Sequence, residues 1–259
     1  MQTRLLFVTV LLMSVSQANA QLPADAVEFP GWKVPGVTAH RSGSSLFLTL
    51  QSRPESGHLQ IPRLANVVRQ VRWLNAPAGE SLNLKPEIDH WVIEPGSFPE
   101  SGPNVIELRL DRPARLFQPP MIVEPAADGT IHLHARDAQV HGEKLRYEPQ
   151  SFKNTVGYWT MQDDFAEWHF RSEVAGTYFV SVLQGCGKGQ GGSDVQVSIG
   201  AEQLSFAIED TGHFQNFVWR EIGRIEVPAG DDICLKLSAL RKAAGAVMDC
   251  REIQLRQVR

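Results

Sequence analysis

Hydrophobic and polar residues alternate along most of this chain with the two-residue period of a half-buried β-strand. In Ser45 to Gln51, Leu46, Leu48 and Leu50 alternate with Phe47 and Thr49. In Glu167 to Arg171, Trp168 and Phe170 share one face. The pattern predicts further strands over Val67 to Leu74, His90 to Ile93 and Val105 to Leu110. A second series covers Thr130 to Ala135, Phe165 to Arg171, Thr177 to Leu183, Asp194 to Ile199, Leu204 to Glu209, Arg224 to Val227, Ile233 to Leu237 and Met248 to Leu255. Turn residues such as Pro54, Gly57, Pro95 and Gly96 separate the strands, and nothing shows the 3.6-residue stripe of a helix. Many short strands punctuated this way predict an all-β chain of two antiparallel β-sandwich domains in series.

The division between them is predicted from proline. Pro113, Pro119, Pro120 and Pro125 fall between the two series, which makes 113–128 a linker joining a first sandwich at 37–112 to a second at 129–259. Residues 21–36 read as a Pro-rich extended lead-in. The first twenty residues carry Arg4, an apolar run from Leu5 to Met13, and the small-x-small pattern Ala18-Asn19-Ala20. That order is expected of a signal peptide cut after Ala20, which makes the protein secreted or periplasmic. The run is too short for an anchored membrane helix, and no later stretch is apolar enough for one.

Charge narrows the partners. Lys and Arg number 25 against 29 Asp and Glu, for a net charge of −4, and the basic residues form no cluster. Nucleic acid is excluded, because it requires clustered cations to displace its counterions. Three cysteines, Cys186, Cys234 and Cys250, are an odd number for an oxidising compartment. A hairpin turning near Lys242 would set Cys234 opposite Cys250 for a disulfide. Three thiols buried as small hydrophobes is the competing reading.

Catalytic signatures are missing: the chain has no Gly-x-Ser-x-Gly elbow, His-Glu-x-x-His, phosphate loop or dinucleotide fingerprint. Asp163-Asp164 and Asp231-Asp232 lie beside strand starts, where adjacent side chains diverge, so they read as solvated turn residues or as oxygen ligands for Ca²⁺. His132 and His134 share a strand face that can chelate Zn²⁺ with His141 or Asp137, unless they are simply solvent-facing.

Two stretches stand out as candidate binding elements. Gly185 to Ser193 holds five glycines and serves either as a flexible loop or as one wall of a site, lying close against a ligand or backbone. Glu209 to Arg220 mixes Phe214 and Phe217 with His213, Gln215, Asn216 and Arg220 on an expected loop. Flat rings that stack on C–H faces beside planar polar groups that bond hydroxyls suit a carbohydrate. The phenylalanines could equally plug the end of a sandwich. Tyr158-Trp159 poses the same choice, whereas Trp73, Trp91 and Trp168 read as core.

Several ordered segments carry a resemblance. Gly142 to Glu148, Val156-Gly157-Tyr158-Trp159, Ala166 to Phe170, Ala175 to Tyr178, Gly191 to Ser193, Asp210 to Gly212 and Ala246 to Asp249 resemble galactose-binding-like β-sandwiches of the family-6 carbohydrate-binding type. The first half, through Leu46 to Leu50, His58 to Leu64, Val71 to Leu74 and Val105 to Leu108, is similar to the sandwich that follows the barrel in α-L-fucosidases. The resemblance implies a jelly roll for the second domain, with ligand contacts at Tyr158, Trp159, Gln190, His213, Phe214, Gln215 and Asn216. It implies no cofactor beyond a structural Ca²⁺ held by some members, for which Asp249 on the last strand is the candidate. Catalytic carboxylates in such fucosidases sit on a barrel of about 250 residues, for which the chain is expected to leave no room. The expectation is therefore an exported, non-catalytic carbohydrate-binding accessory protein. The alternatives are an exported assembly protein binding another protein, with Cys186 available for an intermolecular disulfide, and a glycosidase.

Overall fold

The computed structural model describes residues 21–76, 80–99 and 104–258, so the expected signal peptide lies outside the described residues. The described residues form β-strands and loops, with one 3₁₀ turn at Ala135–Asp137 and no α-helix among them. The first half contains β1 (Val27–Glu28), β2 (Val37–Ser42), β3 (Ser45–Leu50), β4 (Leu59–Pro62), β5 (Val68–Trp73), β6 (Asn83–Pro86), β7 (His90–Glu94) and β8 (Val105–Leu110). They form a five-stranded sheet, β1-β2-β3-β8-β5, and a three-stranded one, β4-β7-β6. Leu46, Leu48, Trp91, Ile93, Ile106 and Leu108 are buried between them.

The second half begins at β9 (Ile122–Val123) and continues through β10 (Ile131–His134), β11 (Gln139–His141), β12 (Arg146–Glu148), β13 (Thr155–Gly157), β14 (Phe165–Ser172) and β15 (Gly176–Cys186). It ends with β16 (Asp194–Ile199), β17 (Glu202–Ala207), β18 (His213–Val227), β19 (Gly230–Arg241) and β20 (Asp249–Gln257). One sheet orders β12-β13-β20-β15-β18 with β10 beside β20, and the facing sheet orders β11-β14-β19-β16-β17 with β9 beside β14. Alternation does here what the sequence predicts: Trp168, Phe170, Val180, Val182, Leu235, Leu237, Ile253 and Leu255 all turn inward. Trp73, Trp91 and Trp168 are core.

Segment 113–128 is tied at both ends. Leu116 bridges to Leu64, the Ala65 amide donates to the Arg115 carbonyl at 2.9 Å, and Ile122–Val123 pairs in parallel with His169–Phe170. Proline removes donors but leaves the flanking residues free to pair, so this stretch is no free tether.

The two sandwiches touch through hydrogen bonds that seat β12. The Tyr147 hydroxyl donates to the Asn66 carbonyl at 2.9 Å, the Val68 amide to Pro149 at 2.7 Å, and the Ser151 amide to Val68 at 3.0 Å. Beside them the buried Arg63 guanidinium donates to the Ala138 carbonyl at 2.8 Å and lies 3.8 Å above the Phe117 ring. Burial lowers its pKa to about 10. Tyr147 thus anchors β12 from one side, while the next residue, Glu148, reaches the site described below.

The Cys234–Cys250 disulfide is corrected. All three cysteines are free thiols, and β19 and β20 belong to facing sheets rather than to one hairpin. Residues 242–248 carry the chain from one sheet across to the other. Asp164 corrects a second expectation. Far from being a solvated turn residue, it is buried and accepts the amides of Glu143, Lys144 and Leu145 at 2.8, 2.9 and 2.8 Å.

Candidate functional site

Strands β12, β13 and β20 run side by side, and their ends set Glu148, Gly157 and Asp249 together. Gly157 makes this possible. A Cβ there would lie 2.7 Å from Asp249 Oδ1 and 3.0 Å from Glu148 Oε2, so the missing side chain is the space the two carboxyls occupy. Both acids are buried. Lys153 neutralises Glu148 through a 2.6 Å contact, and Arg251 fixes the Lys153 carbonyl with a second donor at 2.6 Å. Among the described residues, Asp249 forms no salt bridge. Burial first, and then the Glu148 charge, push its carboxyl up to about 8, opposed by Lys153 and by a hydrogen bond from the Gln215 side chain. The shift favours the protonated acid, which can both donate and accept.

These acids floor a cavity of about 280 Å³ lined also by Tyr158, Trp159, Thr160, Phe214, Gln215 and Ala246. Cavities of similar volume occur elsewhere, for instance around Glu124 and Val174, but this one combines aromatic rings with a proton-bearing acid. Tyr158 is 49% exposed and held at φ 57°, a left-handed conformation that a bulky residue adopts only under constraint. The Thr160 amide donates to its carbonyl at 2.9 Å, and the Arg146 guanidinium covers one ring face at 4.0 Å. Trp159 is only 1% exposed, so it cannot serve as a stacking platform; it packs as core behind the cavity, with its indole N–H unpartnered.

Phe214 is placed by the glycine-rich segment, whose Gly185 and Gly187 pack directly against it. A Cβ on Gly185 would fall 1.9 Å from the Phe214 carbonyl oxygen, and one on Gly187 would fall 2.6 Å from its ring. The expected loop from 209 to 220 is largely the start of β18, whose His213 pairs with Cys186 of β15. Cross-strand pairing extended this polar stretch, which lacks the apolar alternation of a strand.

Of the seven ligand-contact candidates, Tyr158, Trp159, Phe214 and Gln215 line the cavity and Gln190, His213 and Asn216 do not. Gln190 accepts the Ala246 amide at 2.9 Å and so holds one wall segment. The exposed His213 accepts the Gln215 amide through Nδ1 at 3.1 Å, and Asn216 donates to the Thr211 carbonyl at 2.6 Å. Asp249, the Ca²⁺ candidate, lines the cavity. Sequence reasoning missed Glu148 and Lys153, because nothing in Arg146-Tyr147-Glu148 shows which neighbour its acid will meet.

The His132 and His134 pair is not completed by His141 or Asp137. Both rings approach Glu252, at 2.8 and 3.2 Å, each taking one of its oxygens. Among the described residues, no helix is long and apolar enough to cross a membrane.

No protein-family model matches the chain, and no curated protein matches its sequence. An alpha-L-fucosidase from Vibrio sp. strain EJY3 is 18% identical with TM-score 0.36, over 86% of this chain and only 39% of that one. The C-terminal family-6 carbohydrate-binding module of a laminarinase from Zobellia galactanivorans is 18% identical with TM-score 0.40, over 49% of this chain and 99% of the module. A family-6 module of Cellvibrio mixtus lichenase 5A, in complex with cellotriose, is 16% identical with TM-score 0.41, over 49% of this chain and 97% of the module. Scores this low carry no argument about ligand or activity, so the all-β sandwich reading rests on sheet topology and the site on its own chemistry.

Proposed function

We propose that this chain is an exported, non-catalytic carbohydrate-binding protein that holds a neutral sugar in the cavity between Tyr158 and Phe214. One observation carries the reading: two reachable aromatic rings share a cavity with the Gln215 amide and the buried Asp249 carboxyl, whose pKa burial and the Glu148 charge raise. Apolar sugar faces stack on rings, and hydroxyls pair with groups that both donate and accept. Binding without hydrolysis fits the state of the two acids. Glu148 is held by Lys153, and Asp249 lies on the same floor, not across a cleft from it. Export rests on the pattern of residues 1–20. The assembly reading loses its covalent route, because Cys186 is buried.

Affinity electrophoresis through a panel of neutral polysaccharides tests the proposal. At least one should retard the wild type. Tyr158→Gly, which relieves the left-handed backbone, and Gln215→Ala should both migrate freely while keeping the native circular dichroism. A panel that never retards the wild type, or retards both variants equally, refutes it.

A further inference from the structure

We infer that the outer face of the β11-β14-β19 sheet carries a second site, for a divalent transition metal of the Zn²⁺ class, built from Glu167, His169 and Cys234. Glu167 and His169 are two apart on β14 and so face the same way, and Cys234 lies directly opposite His169 in the antiparallel register. A carboxylate oxygen, an imidazole nitrogen and a sulfur thereby fall within 4.8 Å of one another, all half-buried. Donors around a tetrahedral ion with bonds of roughly 2.0–2.3 Å stand about 3.3–3.8 Å apart, so small side-chain rotations close the set.

The surroundings are arranged as a metal site requires. His169 Nδ1 sits 2.5 Å from Asp232 Oδ1, which fixes the ring and leaves Nε2 as the available nitrogen. Carboxylates commonly orient metal-bound imidazoles in this way. Glu167 Oε2 lies 3.0 Å from His141 Nε2, and the His141 ring stacks on Phe165 with centroids 4.5 Å apart. Lys236, directly across from Glu167, places its ammonium 3.7 Å above the Phe165 ring, and forms no ion pair with Glu167 among the described residues. The donor set itself chooses the ion. A thiolate with an imidazole favours Zn²⁺ and its neighbours over Ca²⁺ or Mg²⁺, and three protein ligands leave a fourth position for water. As the sulfur–metal bond forms, the Cys234 thiol gives its proton to solvent.

The His132, His134 and Glu252 group on the other sheet supplies an internal control, since Glu252 already gives one oxygen to each ring. Co²⁺ added to the reduced full-length protein should bind at one equivalent with a sulfur-to-cobalt charge-transfer band, and Zn²⁺ should displace it. Cys234→Ser should abolish the band, and His132→Ala should leave it intact. Asp232→Asn should weaken binding about 10- to 100-fold, the usual cost of losing an orienting partner. Absence of the band in folded wild type, its survival in Cys234→Ser, or its loss in His132→Ala each overturns the assignment. The sugar-binding cavity plays no part in this readout.

Discussion

Replacing Asp249 by Asn removes the proton-bearing carboxyl while keeping its shape and both hydrogen-bonding roles. The wild-type group titrates at about 8 in the folded protein against an ordinary value of 3.8. Below pH 3.8 the folded and unfolded chains both carry the proton. Between there and pH 8 the unfolded chain releases it and the folded one retains it, so this group makes stability fall as pH rises and stop falling above about pH 8. Roughly 4 units at ~1.4 kcal/mol each set a ceiling of ~5–6 kcal/mol. Relaxation and water entering the cavity reduce the expected effect to about 2–4 kcal/mol. An amide does not titrate, so the variant should match the wild type near pH 4–5 and gain on it progressively to pH 9. Urea denaturation of both proteins at pH 5, 7 and 9 measures that gap directly. Acids away from the pair, such as Glu252, whose pKa burial raises but His134 and His132 lower by more, act identically in both proteins and cancel. Parallel stability profiles, with a gap that does not change with pH, would refute a neutral buried Asp249.

Three further outcomes follow from the packing. Gly157→Ala drives a methyl into the Asp249 and Glu148 oxygens and should cost about 1–3 kcal/mol, read as a lower urea midpoint and lost sugar retardation. Arg63→Met leaves the Ala138 carbonyl without its 2.8 Å donor and should cost about 2–4 kcal/mol, splitting one calorimetric transition into two as the sandwiches uncouple. Asp164→Ala strips three backbone amides of their acceptor and should lower stability by about 2–4 kcal/mol, with amide exchange rising first at Glu143 to Leu145.

The strands with a strong two-residue alternation were legible without a structure, because burial of one face imposes that period locally. Trp168 with Phe170 and Leu46 with Leu48 identify themselves this way. Short β4, β9, β12 and β13 were not legible, since two to four residues hold too little pattern and only a neighbouring ladder makes them extended. Polar His213 to Arg220 became strand for the same reason, through pairing with β15. Composition also pointed to Tyr158, Phe214 and Gln215 as aromatic and amide groups suited to one ligand.

Which of those residues meet was decided only in three dimensions. Trp159 and Tyr158 are neighbours in sequence, yet one is core and the other reachable, because Tyr158 itself takes a left-handed backbone that turns the chain. Glu148 and Asp249 lie a hundred positions apart and share a floor only because β12, β13 and β20 stand together around Gly157. Cys234 and Cys250, close enough in sequence to suggest a disulfide, end on facing sheets. What each strand buries could be read locally, since alternation is a property of neighbouring residues. Sheet order decided which acids share a field and which sulfur stands beside an imidazole, because proximity across strands leaves no local trace.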